Sequence, residues 1–228
     1  MDPVIHFRSA VALVGRFPVL AGVDLDVAPG EILLLQGANG AGKTSILRAC
    51  AGLLPVVSGE ATVLGADLTT YPRAVRRRVG MLGHATSLYD DLSVEDNVVF
   101  AVKASRASTE RIRPALEQLG LTGRLPSTSV AALSAGQRRR AALAVLVARD
   151  PDLWLLDEPH AGLDAEFRDV LDELIRDASR RGATVLIASH ERERASGLAA
   201  RTATVAGGVV TNEVVPFSQP SKRPVHVA

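Results

Sequence analysis

The chain has 228 residues, long enough for one compact domain with a sizeable core, and its 26 basic and 25 acidic side chains leave a formal net charge of +1. That balance excludes the basic excess of a dedicated nucleic-acid binder, and with 47% apolar but only 4% aromatic residues the core is expected to be aliphatic. The single cysteine, Cys50, excludes an internal disulfide framework and fits a reducing compartment. The opening stretch MDPVIHFRSA has no basic segment followed by a long apolar one, so no signal peptide is expected. No run approaches the roughly 18 apolar residues of a membrane span. A soluble, cytoplasmic protein is expected, with any membrane role supplied by a partner.

In chain order, residues 19–27 alternate apolar and polar and read as a strand, closed by a turn at Pro29-Gly30. Residues 31–36 are a continuous aliphatic run, as in a strand buried on both faces. Residues 43–51 read as a helix ending near Gly52, and strands are predicted at 60–64 and 79–82. Between about 85 and 150 the character becomes helical. Ser93 caps a helix with Asp96 three residues on. A second helix, STERIRPALEQLG, is expected to bend near Pro114 and stop at Gly120. A third, AGQRRRAALAVLVARD, carries small and aliphatic residues opposite an arginine face. Strands return at 152–156 and 183–189. Strands alternating with helices predict a mainly parallel α/β sheet with a helical subdomain inserted at about 85–150. One domain is expected over residues 1–215, followed by a flexible tail at 216–228 that is rich in proline.

The run LLLQGANGAGKTSIL holds the most specific pattern: two glycines with four residues between them, then Lys-Thr. Gly37, Ala38, Asn39, Gly40, Ala41, Gly42, Lys43, Thr44 and Ser45 are the candidate nucleotide-phosphate residues. A strand must turn sharply into a helix here, glycines let several backbone N–H groups face one anion, and the helix dipole adds to the attraction. Only three lysines occur among the 26 basic residues, and one is placed at this point. A compact ammonium on a thin stem reaches between phosphates where a planar guanidinium fits poorly. Thr44 is expected to give an oxygen to Mg²⁺.

The strand LWLLDEP ends in two carboxylates. Asp157 at its tip suits Mg²⁺, directly or through water. Glu158 suits the orientation and polarisation of a water that attacks a γ-phosphate. Adjacent strand residues point to opposite sides, so the two need not share one task.

Leu133-Ser134-Ala135-Gly136-Gln137 at a helix start makes the chain resemble the ATP-binding-cassette (ABC) family, whose signature is Leu-Ser-Gly-Gly-Gln. The order of motifs is also similar over about residues 4–212: P-loop, helical insertion, signature, Asp157-Glu158, the AGLD run at 161–164 and Ser189-His190. The resemblance implies a P-loop NTPase of ABC type, with a mainly parallel core sheet, an N-terminal antiparallel β part and the helical subdomain. It implies ATP and Mg²⁺ as cofactors and a head-to-tail homodimer, each ATP held between one chain's P-loop and the other's signature. In that arrangement Ser134, Gly136 and Gln137 meet the γ-phosphate side of the partner's nucleotide and Asp164 lies at the interface. His190 bonds the γ-phosphate and helps hold the water with Glu158, and Lys43 completes the catalytic set by reaching the β- and γ-phosphates.

Two positions depart from the family pattern. His84 stands where a glutamine usually ligates Mg²⁺ and senses the membrane subunit. Val14 stands where an aromatic usually stacks on adenine, leaving Phe17 as a substitute or a core residue. The arginine runs at 76–78 and 138–140 read as solvated faces or edges. The Gly83-His84 pair, the alanine inside the signature and the missing aromatic resemble haem-exporter ATPases of cytochrome c maturation. That resemblance implies hydrolysis of ATP on the cytoplasmic face of the membrane, driving a separate permease, with no nucleic-acid partner. The alternatives are the ATPase of another exporter, for drugs, lipids or polysaccharide, and a soluble non-transport ABC ATPase.

Overall fold

The computed structural model describes residues 2–190 and 192–213; the tail expected at 216–228 lies outside them. Among the described residues ten strands form two sheets. The first is antiparallel, in the order β2 (Phe17–Val27), β1 (Ile5–Val14), β4 (Val56–Val63), β5 (Ala66–Asp67). The second has the order β10 (Val209–Glu213), β9 (Arg201–Ala206), β3 (Ile32–Gln36), β8 (Thr184–Ala188), β7 (Leu153–Asp157), β6 (Val79–Leu82). It is parallel except for β10 at its edge.

The aliphatic strands 31–36, 152–156 and 183–189 are continuous because both of their faces are covered. The period of two divides them cleanly. Leu33 and Leu35, Leu153 and Leu155, Leu186 and Ala188 pack toward helix α1 (Lys43–Cys50) and the antiparallel sheet. Ile32 and Leu34, Trp154 and Leu156, Val185 and Ile187 pack on the opposite side, with helices α2 (Val94–Ser105), α3 (Ile112–Gln118), α4 (Ala135–Arg149) and α5 (Ala165–Arg180). One sheet thus divides two aliphatic cores, and α2 to α4 occupy the interval between β6 and β7.

The predicted helix at 108–120 is shorter than expected, and Pro114 falls at its start rather than in its interior. A 3-10 turn at Thr109–Arg111 precedes α3, and Pro114 is its third residue. In the first turn the N–H groups have no intrahelical acceptor, so a missing one costs nothing. Elements β1, β5, α5, α6 (Arg192–Ser196), β9 and β10 have no counterpart in the sequence reading. The β9–β10 hairpin had a local signal: Gly207-Gly208 between two valine-bearing runs, with φ of 56° and 75°. Positive φ at both central residues is the type I′ condition.

Arg76, Arg77 and Arg78 are exposed, as expected of a solvated edge, whereas the run at 138–140 is not a solvated face. Arg78 pairs with Asp152 at 2.5 Å and Arg138 with Asp90 at 2.5 Å. Arg140 lies 4.1 Å from the centroid of the Phe167 ring, and Arg139 is 6% exposed. Such side chains bury their stems and find carbonyl or carboxylate acceptors, which composition alone does not reveal. Among the described residues no helix is long and apolar enough to cross a membrane.

Candidate active site

The parallel strands deliver the site, because loops that leave their carboxyl ends converge on one crevice. β3 ends at Gln36 and the chain turns through residues 37–42 into α1. Gly37 has φ +150°, and a Cβ there would lie 2.2 Å from the Val205 carbonyl oxygen, so a side chain is excluded. The loop is braced from behind by the β9–β10 turn: Gly208 N donates to Ala41 O at 2.9 Å, and Ala21 N donates to Gly208 O at 2.9 Å. Helix α1 starts at Gly42 with no side-chain cap and no acid in its first turn. Its N-terminus is therefore left for an anion.

Lys43 is 7% exposed and its Nζ donates to Gly37 O at 2.7 Å and Ala38 O at 3.0 Å, which pins the ammonium inside the loop. Thr44 Oγ1 donates to Asp157 Oδ2 at 2.8 Å, joining the P-loop to the tip of β7. A cavity of about 610 Å³ unites Asn39, Gly40, Gly42, Lys43, Thr44 and Ser45 with His84, Asp157 and Glu158. Its other walls are Pro18, Val19, Gly207 and Gly208, which the sequence reading did not single out. Phe17 is 78% exposed and Val14 56% exposed; Phe17 is not a core residue. His84 is exposed and makes no hydrogen bond among the described residues.

Glu158 falls one residue beyond β7 and has φ 46°, a left-handed backbone that is costly for a residue with a Cβ. Its N–H donates to Ala188 O at 2.8 Å. The carboxylate accepts from Ser189 Oγ at 3.2 Å and from His190 N at 3.1 and 3.3 Å, with His190 Nδ1 2.9 Å from Oε1. The two residues expected to work together are thus in contact, and Glu158 lines the same cavity as Asp157.

The signature residues and Asp164 lie elsewhere. None of them lines the P-loop cavity. Ser134 caps α4 in a reciprocal box: its Oγ accepts from Gln137 N at 3.2 Å and Gln137 Oε1 accepts from Ser134 N at 2.9 Å. Asp164 caps α5, accepting from Phe167 N at 3.0 Å. Ala135 lines a second cavity with His84 and Gly162. At Gly136 a Cβ would meet only Gly162 O, at an ordinary 3.4 Å, so packing within this chain does not demand glycine there.

A buried network that the sequence reading missed stands behind the site. His160, 1% exposed, donates from Nε2 to Asp172 Oδ1 at 2.7 Å, while Arg194 holds Asp172 Oδ2 at 2.8 Å and also pairs with Asp169. Burial pushes the Asp172 carboxyl up, but the hydrogen bonds from His160 and Arg194 outweigh it and hold the group below the ordinary carboxylate range. A depressed folded pKa stabilises the fold above the unfolded value and loses that contribution as pH falls through the folded one. Melting curves of wild type and Asp172→Asn should therefore differ most at neutral pH and converge below about pH 4.

The comparisons with known proteins agree with this geometry. The family profile described as ABC transporter matches residues 20–161. The chain is 34% identical over 208 residues to "Cytochrome c biogenesis ATP-binding export protein CcmA 2" of Cupriavidus metallidurans, covering 90% of this chain and 98% of the relative. It is 38% identical over 216 residues to "Sulfate/thiosulfate import ATP-binding protein CysA" of Caulobacter vibrioides, covering 90% of this chain but only 62% of that relative's length. The fold matches the "Dimeric structure of a post-hydrolysis state of the ATP-binding cassette MJ0796 bound to ADP and Pi" with a TM-score of 0.85 at 22% identity, over 94% of this chain and 100% of the other. A nucleotide-phosphate loop, a cavity built around it and a family match over most of the sequence lead to one conclusion: the chain belongs to the ABC transporter family, as an ATP-hydrolysing subunit.

Proposed function

We propose that two copies of the chain pair head to tail on ATP and drive a separate membrane permease in haem export for cytochrome c maturation. The observation that carries the pairing is the separation of the site into two parts. Lys43, Thr44, Asp157, Glu158 and His84 share one cavity, whereas Ser134, Gly136, Gln137 and Asp164 stand outside it. A second copy brings its signature to the γ-phosphate held by the first. Gly136 is then small because phosphate approaches its backbone, since packing among the described residues does not demand it. The closed dimer is favoured only by contacts with the γ-phosphate, and hydrolysis removes them.

Hard oxygen donors next to a phosphate loop fit Mg²⁺, which is held by one or two protein oxygens together with substrate phosphates. Thr44 Oγ1 and Asp157 Oδ2, 2.8 Å apart, are those oxygens. Bound there, Mg²⁺ neutralises phosphate charge. Glu158 takes the proton of the attacking water, His190 holds the γ-phosphate and Lys43 reaches the β- and γ-phosphates. Pro18 and Val19 offer the cavity wall an apolar edge near the base position.

Haem as cargo is supported by the cytochrome c biogenesis relative, which the chain matches over nearly its whole length, and by Gly83-His84 and Ala135. The sulfate importer relative favours another cargo on the same machinery. Affinity capture of the chain from detergent-solubilised native membranes, followed by mass spectrometry, decides. Co-purifying cytochrome c maturation membrane proteins support haem export. A different permease replaces the cargo, and ribosomal or DNA-repair proteins alone overturn the transport reading.

A further inference from the structure

The arginine run at 138–140 does not act as one surface. Arg138 and Arg140 engage Asp90 and the Phe167 ring, but Arg139, one residue from each, is buried. Among the described residues no carboxylate is within ion-pair distance of its guanidinium. It donates instead to three carbonyls: Nη1 to Gly83 O at 2.6 Å, and Nη2 to Glu158 O at 2.7 Å and Asp157 O at 3.2 Å. A buried guanidinium with no direct ion pair is costly: burial holds the Arg139 pKa below the ordinary arginine value, outweighing the field of the nearby Asp157 and Glu158 carboxylates, which favours the cation.

The three acceptors are not a random set. Gly83 follows the end of β6 and immediately precedes His84. Asp157 and Glu158 are the two carboxylate residues of the site. Along a regular strand successive carbonyls alternate in direction, so one donor does not reach two neighbours. The left-handed backbone at Glu158 turns both carbonyls toward Nη2. The strained turn and the guanidinium therefore hold each other in place. Arg139 itself sits five residues after Ser134, about one and a half turns into α4. Its planar fork has fixed donor directions, so a shift or rotation of the start of α4 is transmitted rather than absorbed.

We propose that Arg139 is a positioning residue that couples the signature end of α4 to the Glu158 turn and to the His84 loop of the same chain. The inference rests on the ATPase dimer reading. In it, engagement of Ser134 and Gly136 with the other copy's nucleotide sets the start of α4, and the Arg139 guanidinium sets the main chain that aims Glu158. One site thereby reports its occupancy to the carboxylate of the other. Arg139→Lys keeps the charge but replaces the fork by a point donor that cannot span the loops.

The test is steady-state phosphate release, ATP affinity and thermal melting of the full chain as wild type, Arg139→Lys, Arg139→Gln, Glu158→Gln and Arg139→Lys with Glu158→Gln. Arg139→Lys should lower kcat at least about tenfold, keep KM and ATP affinity within about twofold, and melt close to wild type. Added to Glu158→Gln it should cause no further loss, because it acts through Glu158. Wild-type kcat in a folded Arg139→Lys or Arg139→Gln, a loss that appears in KM, or an undiminished loss in the Glu158→Gln background overturns the inference. A measurement that needs no variant accompanies these: in wild-type protein, hydrogen exchange at 83–85 and 157–160 should change together with 134–139 on adding ATP, and independent changes overturn it. Absence of turnover in wild type overturns the ATPase reading itself, whereas wild-type turnover with an unaffected Arg139→Lys overturns this inference alone.

Discussion

Replacing Glu158 with glutamine is expected to lower phosphate release by about 10²–10⁴-fold while leaving ATP binding intact. The range is that of a positioned general base removed from a proton-transfer step. Glutamine keeps the volume and one carbonyl oxygen, which continues to accept from the His190 N–H and Nδ1. Its amide nitrogen faces Ser189 Oγ, an acceptor as well as a donor, so no buried group is orphaned. Stability should stay within about 0.5 kcal/mol of wild type. With hydrolysis blocked and the γ-phosphate retained, an ATP-dependent dimer should accumulate, visible by size-exclusion chromatography and light scattering. Equal turnover in the two proteins would remove Glu158 from the role of base. A monomer at saturating ATP would count against the head-to-tail pairing.

Lys43→Ala should weaken ATP binding by about 10- to 100-fold, the equivalent of losing charge-assisted hydrogen bonds of roughly 1.5–3 kcal/mol. The loss should appear in both the dissociation constant and turnover, because on the proposed function the ammonium serves the bound nucleotide and the transition state alike. Lys43→Arg is the sharper variant. The pocket that places Nζ between Gly37 O and Ala38 O admits a thin stem, and a planar guanidinium does not follow the same path. Isothermal titration with ATP should therefore show Arg and Ala failing alike. Near wild-type affinity in Lys43→Arg would mean that charge alone suffices there.

How much of this was legible varied by element, for identifiable reasons. Strands β3, β7 and β8 were readable because burial on both faces leaves a continuous aliphatic run. The second and third insertion helices were read, and the first was placed by its Ser93 cap. Helix α5 and strand β1 were not assigned, although α5 is strongly amphipathic by its burial of Leu171, Ile175 and Ala178. The Gly207-Gly208 hairpin carried a recognisable turn signal, but nothing local said that it would brace a phosphate loop some 165 residues away.

The P-loop, the two carboxylates at the end of β7 and the signature were determined by the sequence itself, because each is a short run whose residues must be adjacent to work. Backbone N–H groups around one anion, or a hydroxyl capping its own helix, are local geometry, and local geometry is written in spacing. Tertiary structure alone decided which of these share a cavity, that Ser134 and Asp164 stand outside it, and what His160 and Arg139 do. Their partners, Asp172 and the carbonyls of Gly83, Asp157 and Glu158, lie 12 to 56 residues away along the chain. A lone histidine and the middle arginine of three have no spacing signature, since their roles depend on which backbone the fold carries to them and on how completely it excludes water.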